Sequence, residues 1–373
     1  MIEIIKVETK KQRKEFVEFP LKLYKDNPYF VPPMYMDEMA IFSDKYVYSK
    51  TCDCAFFLAK KDGEVVGRIQ GIIQNQYNEL HGEKRLRFTR FDCIDDEEVA
   101  KKLFQAIEEF GRENGMDTFC GPLGYSDLER EGLLIEGFNE YQTFAEQYNY
   151  PYYAKLIESA GFKKEVDWLE FKVKFPKEKS EKVRRVSERA LELNRLHLAD
   201  EKLSISKLLK KYADGIFHVL DVCYGELYGT VPFTEEMKKQ VLSQFKLFIK
   251  RKWIMVILDE NDEVVAFGFC MPQLGYALKP SGGRLTIPTL LRVLKALNNP
   301  KVIEFCLIGV LPKYQARGVN SIALDGIMKM LQGDVEYCET NLCLENNDKI
   351  LAQWKYFDAV NHKKRRSYVK DIK

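Results

Sequence analysis

The apolar residues of this chain follow two rhythms that take turns along its length. Runs that alternate, or stay apolar briefly, predict strands at residues 1–8, 54–59, 65–74, 86–93 and 168–175. Between them Phe16, Phe19 and Leu23 share one face of a helix predicted over 10–23. Val99, Leu103, Ile107 and Phe110 mark a second helix that ends near Gly115. Shorter helices are predicted at 37–42 and at 154–160, the latter closed by Gly161. Asp62-Gly63 tolerates positive φ and makes a hairpin turn between two of the strands. The prolines of residues 27–34 stop regular structure, and their aromatic neighbours either line a pocket or, the preferred reading, pack the turn. Residues 123–142 are Gly-rich and read as a long loop, of a length that is usually functional.

Residues 176–182 are almost wholly charged and set a boundary between units 1–178 and 179–373. Beyond it, residues 183–198 fit helix and strand equally. Helices are predicted at 205–224, 234–249, 288–297 and 348–359. Strands are predicted at 253–258, 264–271, 303–311, 335–344 and 367–372, with a loop at 275–283. The two units share a plan. Phe56 to Gly67 and Met255 to Ala266 give the same strand–acidic turn–strand about 200 residues apart, and the later elements follow in the same order.

Residues 303–330 hold the candidate chemistry. An apolar run ends at Pro312, which cannot donate to a ladder. Gln315, Arg317 and Gly318 follow, then Asn320 and Ser321, which are preferred helix caps. Ile322, Leu324, Ile327 and Met328 recur at helical spacing. A strand, a tight basic turn and a helix aim N–H groups and a positive dipole end at one spot, which suits a phosphate.

The segment Val310-Leu311-Pro312-Lys313-Tyr314-Gln315-Ala316-Arg317-Gly318-Val319-Asn320 resembles the acetyl-CoA signature of the GNAT acyltransferases. That signature is a Val-x-Pro strand end followed by Gln/Arg-x-x-Gly-x-Gly/Ala. Asn320 departs from it, because a side chain there crowds a pyrophosphate. With the repeat, the resemblance implies an α/β protein with a mixed sheet, built as two tandem GNAT-like (acyl-CoA N-acyltransferase) folds. Asn27-Pro28-Tyr29-Phe30-Val31-Pro32-Pro33, Gly67-Arg68-Ile69 and Gly121-Pro122 look like an uncharacterised bacterial group of double-GNAT proteins. The first unit lacks the signature and carries Asp95 to Glu98 in its place, so it is expected to be degenerate.

The resemblance also implies roles. Ile308, Gly309 and Val310 would lie along the pantetheine arm and supply an oxyanion N–H. Gly309 would permit a bulge or a close backbone approach there. Gln315, Ala316, Arg317, Gly318, Val319, Asn320 and Ser321 would hold the pyrophosphate. Asn347 opens the next family motif. Glu304 is the candidate base, with an outward-facing structural carboxylate as the alternative. The family's acidic tyrosine falls on Trp354, and Tyr356 is the nearest substitute. The expected activity is acyl-CoA-dependent N-acylation, by acetyl-CoA or another acyl-CoA, of a small-molecule or peptide amine. A non-catalytic acyl-CoA sensor on degenerate folds is the alternative.

Bulk chemistry narrows the partners. Lys plus Arg number 58 and Asp plus Glu 56, a net charge of +2 that gives no case for nucleic acid. There is no signal-peptide pattern and no apolar run near the roughly 20 residues that span a bilayer, so a cytoplasmic protein without a membrane partner is expected. The nine cysteines are expected to be reduced thiols, and the four dispersed histidines predict no metal site. Lys363-Lys364-Arg365-Arg366 reads as a solvated charged turn. The oligomeric state stays open.

Overall fold

The computed structural model describes residues 1–174, 177–330, 335–354 and 357–372, with side chains left aside at 177–180, 244–248 and 330. In the first half the chain runs β1 (Ile2–Lys6), α1 (Lys10–Leu23), α2 (Tyr35–Ala40), β2 (Cys52–Lys61), β3 (Glu64–Gln74) and α3 (Asn75–His81). It continues with β4 (Arg85–Cys93), α4 (Glu97–Glu113), β5 (Thr118–Gly121), β6 (Leu133–Glu136), α5 (Tyr153–Ser159) and β7 (Lys163–Lys174). The second half opens with α6 (Lys177–Asn194), β8 (His197–Leu198), α7 (Ile205–Tyr224), α8 (Glu235–Phe248), β9 (Ile254–Leu258) and β10 (Val264–Pro272). Then come α9 (Gly275–Leu278), α10 (Ile287–Asn298), β11 (Val302–Val310), α11 (Val319–Met330), β12 (Tyr337–Thr340), β13 (Cys343–Leu344), α12 (Asp348–Trp354) and β14 (Asp358–Asp371).

The repeated sequence builds two matching hairpins, β2–β3 and β9–β10. Each turns through an aspartate at positive φ, Asp62 at 54° and Asp262 at 64°. One sheet contains both, in the order β1-β2-β3-β4-β5-β14-β7-β12-β11-β10-β9-β8, with β6 on β14 and β13 on β7. Among the described residues, only β4–β5 and β11–β12 are parallel. The order is symmetric about its middle, and the halves exchange strands there. β14, the last strand of the second half, lies between β5 and β7 of the first, and β7 in turn pairs with β12.

Both faces of each half-sheet are covered. Phe88, Phe104, Phe119 and Phe162 form the aromatic centre of the first core. In the second half α7 covers one face through Leu208, Tyr212, Ile216 and Val219. α6 and α11 cover the other through Ala190, Val319, Ile322 and Ala323. A Cβ on Gly326 would meet Met255 Sδ at 2.3 Å, so glycine lets α11 lie this close to β9 with the Met255 side chain in place.

Several sequence expectations change. Residues 183–198 resolve to helix α6 followed by the short strand β8. The 123–142 loop contains β6, and 275–283 contains the short helix α9. The helix expected to reach 359 ends at Trp354, because β14 already starts at Asp358. The 363–366 run is not a solvated turn. It lies in β14, where alternate side chains point to opposite faces. Lys363 and Arg365 are each 1% exposed; Lys363 pairs with Glu170 and Glu339, and Arg365 Nε is 2.7 Å from Glu170. On the other face Lys364 and Arg366 both reach Asp167, at 2.8 and 2.7 Å. All nine cysteines are free.

Candidate functional site

The parallel pair β11–β12 holds together only from Val302 to Phe305, opposite Tyr337 to Thr340. There the β10 register shifts, Phe269 facing Leu307 and Cys270 facing Phe305, so Cys306 is an extra, bulged residue. Asn341 wedges into the fork: its N–H donates to Phe305 O at 3.0 Å and its Nδ2 to Cys306 O at 3.4 Å. Beyond it the edge of β11 faces a groove of about 890 Å³ instead of a strand. Gly309 is not the bulge; a Cβ there would meet Val219 Cγ1 at 2.8 Å, so its smallness serves the approach of α7.

The turn after β11 alternates in φ: Gln315 at −65°, Ala316 at 59° and Gly318 at 77°. Such alternation folds successive N–H groups toward one concavity. Among the described residues, the N–H groups of Arg317, Gly318, Val319 and Asn320 have no backbone acceptor. Gln315 Nε2 donates to Val310 O at 3.0 Å, and Lys349 Nζ donates to Gln315 Oε1 at 3.2 Å, bracing the turn from both sides. The helix starts at Val319, so Asn320 and Ser321 lie in its first turn and are not caps. The left-handed Gly318 ends the turn earlier, and its carbonyl accepts from both Ser321 N and Ser321 Oγ. In the first half the equivalent spot is filled: Asp96 accepts from Glu98 N at 3.0 Å and Val99 N at 3.3 Å, and pairs with Lys61.

Of the residues singled out from the sequence, Ile308, Gly309, Val310, Gln315, Ala316, Asn320 and Asn347 line the groove together. Asn347 also caps α12 by accepting from Ile350 N at 3.3 Å. Arg317, Gly318, Val319 and Ser321 stand outside its lining; Val319 is buried core and Arg317 is exposed. Glu304 does not line the groove either. It is 4% exposed, beside Glu339 of β12, so it is not the outward-facing carboxylate of the alternative. Its Oε1 accepts from Phe144 N at 3.2 Å, and its Oε2 has no hydrogen-bond partner. Burial, then the Glu339 charge, raises its pKa to about 8. Tyr356 lies outside the described residues. Trp354 is buried and stacks on Phe305 with ring centroids 6.1 Å apart.

Three groove residues had escaped the sequence reading. Glu131 and Glu146 enter from the first half's long loop, 4% and 3% exposed, each with a carboxylate oxygen that accepts no hydrogen bond, that of Glu146 lying 3.9 Å from Arg365 Nε. Burial raises both pKa values; the Arg365 guanidinium opposes the shift at Glu146. Only the length of their loop signalled them. Tyr224, the last residue of α7, places its hydroxyl 3.0 Å from Ile308 O and 3.2 Å from Ile308 N. It covers the backbone edge that the family resemblance reserves for the pantetheine arm. Burial raises its pKa, so it stays a protonated donor. Nothing in its sequence context marks it.

The loop is a partition. Asp127, Glu131 and Glu146 face the groove, while Leu128, Arg130, Phe144 and Gln147 face a second cavity of about 540 Å³. Phe30, Met34 and Val47 also line that cavity. Among the described residues no cluster of three or more His, Cys, Asp or Glu could hold a metal ion, and no helix is long and apolar enough to cross a membrane.

No family model matches the chain. Protein YghO of Escherichia coli (strain K12) is 26% identical to it, over 97% of this chain and 94% of that one. Bacterial ceramide synthase of Caulobacter vibrioides is 25% identical, over 84% of this chain and 82% of that one. Among solved structures, a tandem GNAT protein from the clavulanic acid biosynthesis pathway superposes with a TM-score of 0.59 at 10% identity, covering 100% of this chain and 99% of that one. A GCN5-related N-acetyltransferase from Sphaerobacter thermophilus gives 0.51 at 9% identity, covering 100% and 96%.

Proposed function

We propose that this chain, which carries the tandem GNAT fold, is an N-acyltransferase that moves an acyl group from a CoA thioester to an amine in the 890 Å³ groove. The observation that carries this reading is a convergence. A forked strand edge and two buried carboxylates from the other half open onto one space, and the N–H-rich turn adjoins it through Gln315, Ala316 and Asn320. The donor set suits a pyrophosphate: N–H groups at residues 317–320, with Gln315 and Lys349 beside them. Asn320, also in the lining, narrows that cradle without removing a donor.

The residues then have distinct tasks. The partition loop and β11 hold the two reactants together, which supplies much of the acceleration. Ile308 N–H is the donor for the developing oxyanion once Tyr224 turns aside. The amine nitrogen bonds to the thioester carbonyl carbon and the C–S bond breaks. Glu146, which lines the groove, takes the amine proton; Glu304 sits behind the lining and shapes the local field. Tyr224, kept protonated by burial, stands at the edge where the thiolate forms and returns a proton to it.

The acceptor we assign is a long-chain amine. The C. vibrioides relative is named a ceramide synthase, and a ceramide is the amide of a long-chain amino alcohol. The second cavity mixes apolar walls at Phe30, Met34, Val47, Leu128 and Phe144 with the charged Asp37, Glu38, Arg68, Arg90 and Arg130, so the assignment rests on the relative's name.

Isothermal titration of the intact chain with acetyl- and palmitoyl-CoA tests binding, and CoA release with a long-chain amino alcohol tests turnover. Glu146→Gln is expected to lower kcat by about 10²–10⁴-fold, the usual contribution of a general base. Absence of binding by either thioester sinks the proposal. Binding without turnover favours the second reading, an acyl-CoA sensor, for which the Tyr224 cover over Ile308 speaks.

A further inference from the structure

Helix α10 is apolar on two adjoining faces. Thr289, Val293 and Leu297 are buried, the last two packed with Met34, Leu274 and Leu278. Ile287, Leu290, Leu291 and Leu294 recur at i, i+3, i+4 and i+7 on the face beside them, 77%, 41%, 64% and 53% exposed. Tyr276 of the preceding α9 is 62% exposed and stacks on Tyr141. Most other exposed large hydrophobics of the described residues are scattered singly along the chain, which needs no explanation. On α10 four of them form one contiguous exposed patch, the kind of patch that marks an interaction site. The outer face of α10 therefore calls for an occupant.

Charge indicates which one. No Asp or Glu occurs between Glu263 and Glu304, while Lys279, Arg284, Arg292, Lys295 and Lys301 all fall in that interval. Lys295 and Lys301 are exposed, and Lys250 reaches Asn298 at the end of α10. A second copy docked on this face would set like charges against like charges. A surface of anionic headgroups over an apolar layer complements both features at once.

We infer that α10 is an interfacial helix. It lays Ile287, Leu290, Leu291 and Leu294 into the headgroup–acyl boundary of an anionic phospholipid bilayer, with Lys295 and Lys301 on the headgroups. This departs from the sequence expectation of no membrane partner. Beneath the helix, Met34 and Phe144 belong both to its packing cluster and to the wall of the 540 Å³ cavity. One layer of side chains thus separates the bilayer from the site proposed for a lipid acceptor. That link rests on the acyl-transfer reading; the docking itself does not.

Flotation of the full chain with vesicles decides it. The chain is expected to float with phosphatidylglycerol–phosphatidylcholine vesicles, at least about tenfold less with pure phosphatidylcholine, and less as salt rises. Leu291→Glu with Leu294→Glu, both at exposed positions, is expected to lower flotation at least about tenfold with an unchanged thermal melt. Lys295→Glu with Lys301→Glu should weaken only the anionic-vesicle binding. Failure to float with either vesicle, or equal flotation of the leucine double variant, overturns the inference. So does a dimer, seen by ultracentrifugation and abolished by the leucine variant, in a chain that does not float. Acyl-CoA titration of the same samples separates the two proposals, since the docking variants should bind acyl-CoA as the parent does.

Discussion

At the scale of single residues, burial sets the behaviour of the carboxylates. Glu304 keeps its proton in the folded chain up to about pH 8, while the unfolded chain ionises near 4.5. Folding therefore carries a cost that appears above pH 4.5 and is complete above pH 8. Glu304→Gln should stabilise the protein by roughly 3–5 kcal/mol at pH 8 and hardly at all at pH 4, read by denaturant unfolding at both values. Glu38 behaves in the opposite sense. Arg90 and Arg68 outweigh its burial and hold its pKa down at about 2. Its contribution is full above 4.5 and disappears as pH falls toward 2. Glu38→Gln should cost roughly 3–5 kcal/mol at neutral pH, because it leaves two buried guanidinium groups short of a partner. The two glutamates differ because Glu304 is buried beside a second carboxylate and Glu38 beside two guanidinium groups.

Elements explain why the nest exists. Pro312 ends pairing after β11, and Gly318 supplies a left-handed residue so that α11 can begin at once. Gly318→Ala meets no severe clash, since its Cβ would come 3.3 Å from Ala190 Cβ, but it forces a side chain to φ 77°. The expected cost is about 1–2 kcal/mol of stability, together with weaker acyl-CoA affinity in the titration. The helix boundaries that sequence reading displaced are those set by distant pairing. Residues 355–360 contain no Gly or Pro to end a helix. β14 extends back to Asp358 because β7 is there to pair with it.

For the whole molecule the strand exchange is decisive. β14 supplies the first half with a strand between β5 and β7, and β7 supplies the second half with a neighbour for β12. Residues 1–178 expressed alone would leave β5 and β7 as open edges, with Glu170 buried near neither Lys363 nor Arg365. Neither 1–178 nor 179–373 should melt cooperatively by circular dichroism when alone, and co-expression should restore a single transition. Two independent cooperative melts would refute this coupling of the halves.

Local periodicity and turn chemistry made the hairpins, the helices of the repeat and the strand–turn–helix at 303–330 legible in the sequence, because those features depend on residues close in the chain. The same locality let the acids at 95–98 mark the first half as lacking an anion cradle. What lay beyond reach depends on residues far apart. The Lys-Lys-Arg-Arg run looked solvated because its partners, Glu170, Glu339 and Asp167, are visible only once β14 enters the other half's sheet. Glu131, Glu146 and Tyr224 are ordinary residues in sequence. They reach the groove because a long loop and the end of a helix are carried there by a sheet that closes across the middle of the chain. The sequence by itself thus determined most of the elements and the strand–turn–helix at 303–330, through short-range sterics and periodicity. Only the tertiary structure decided which charges are buried and which carboxylates face the groove, because burial and pairing are properties of the assembled sheet.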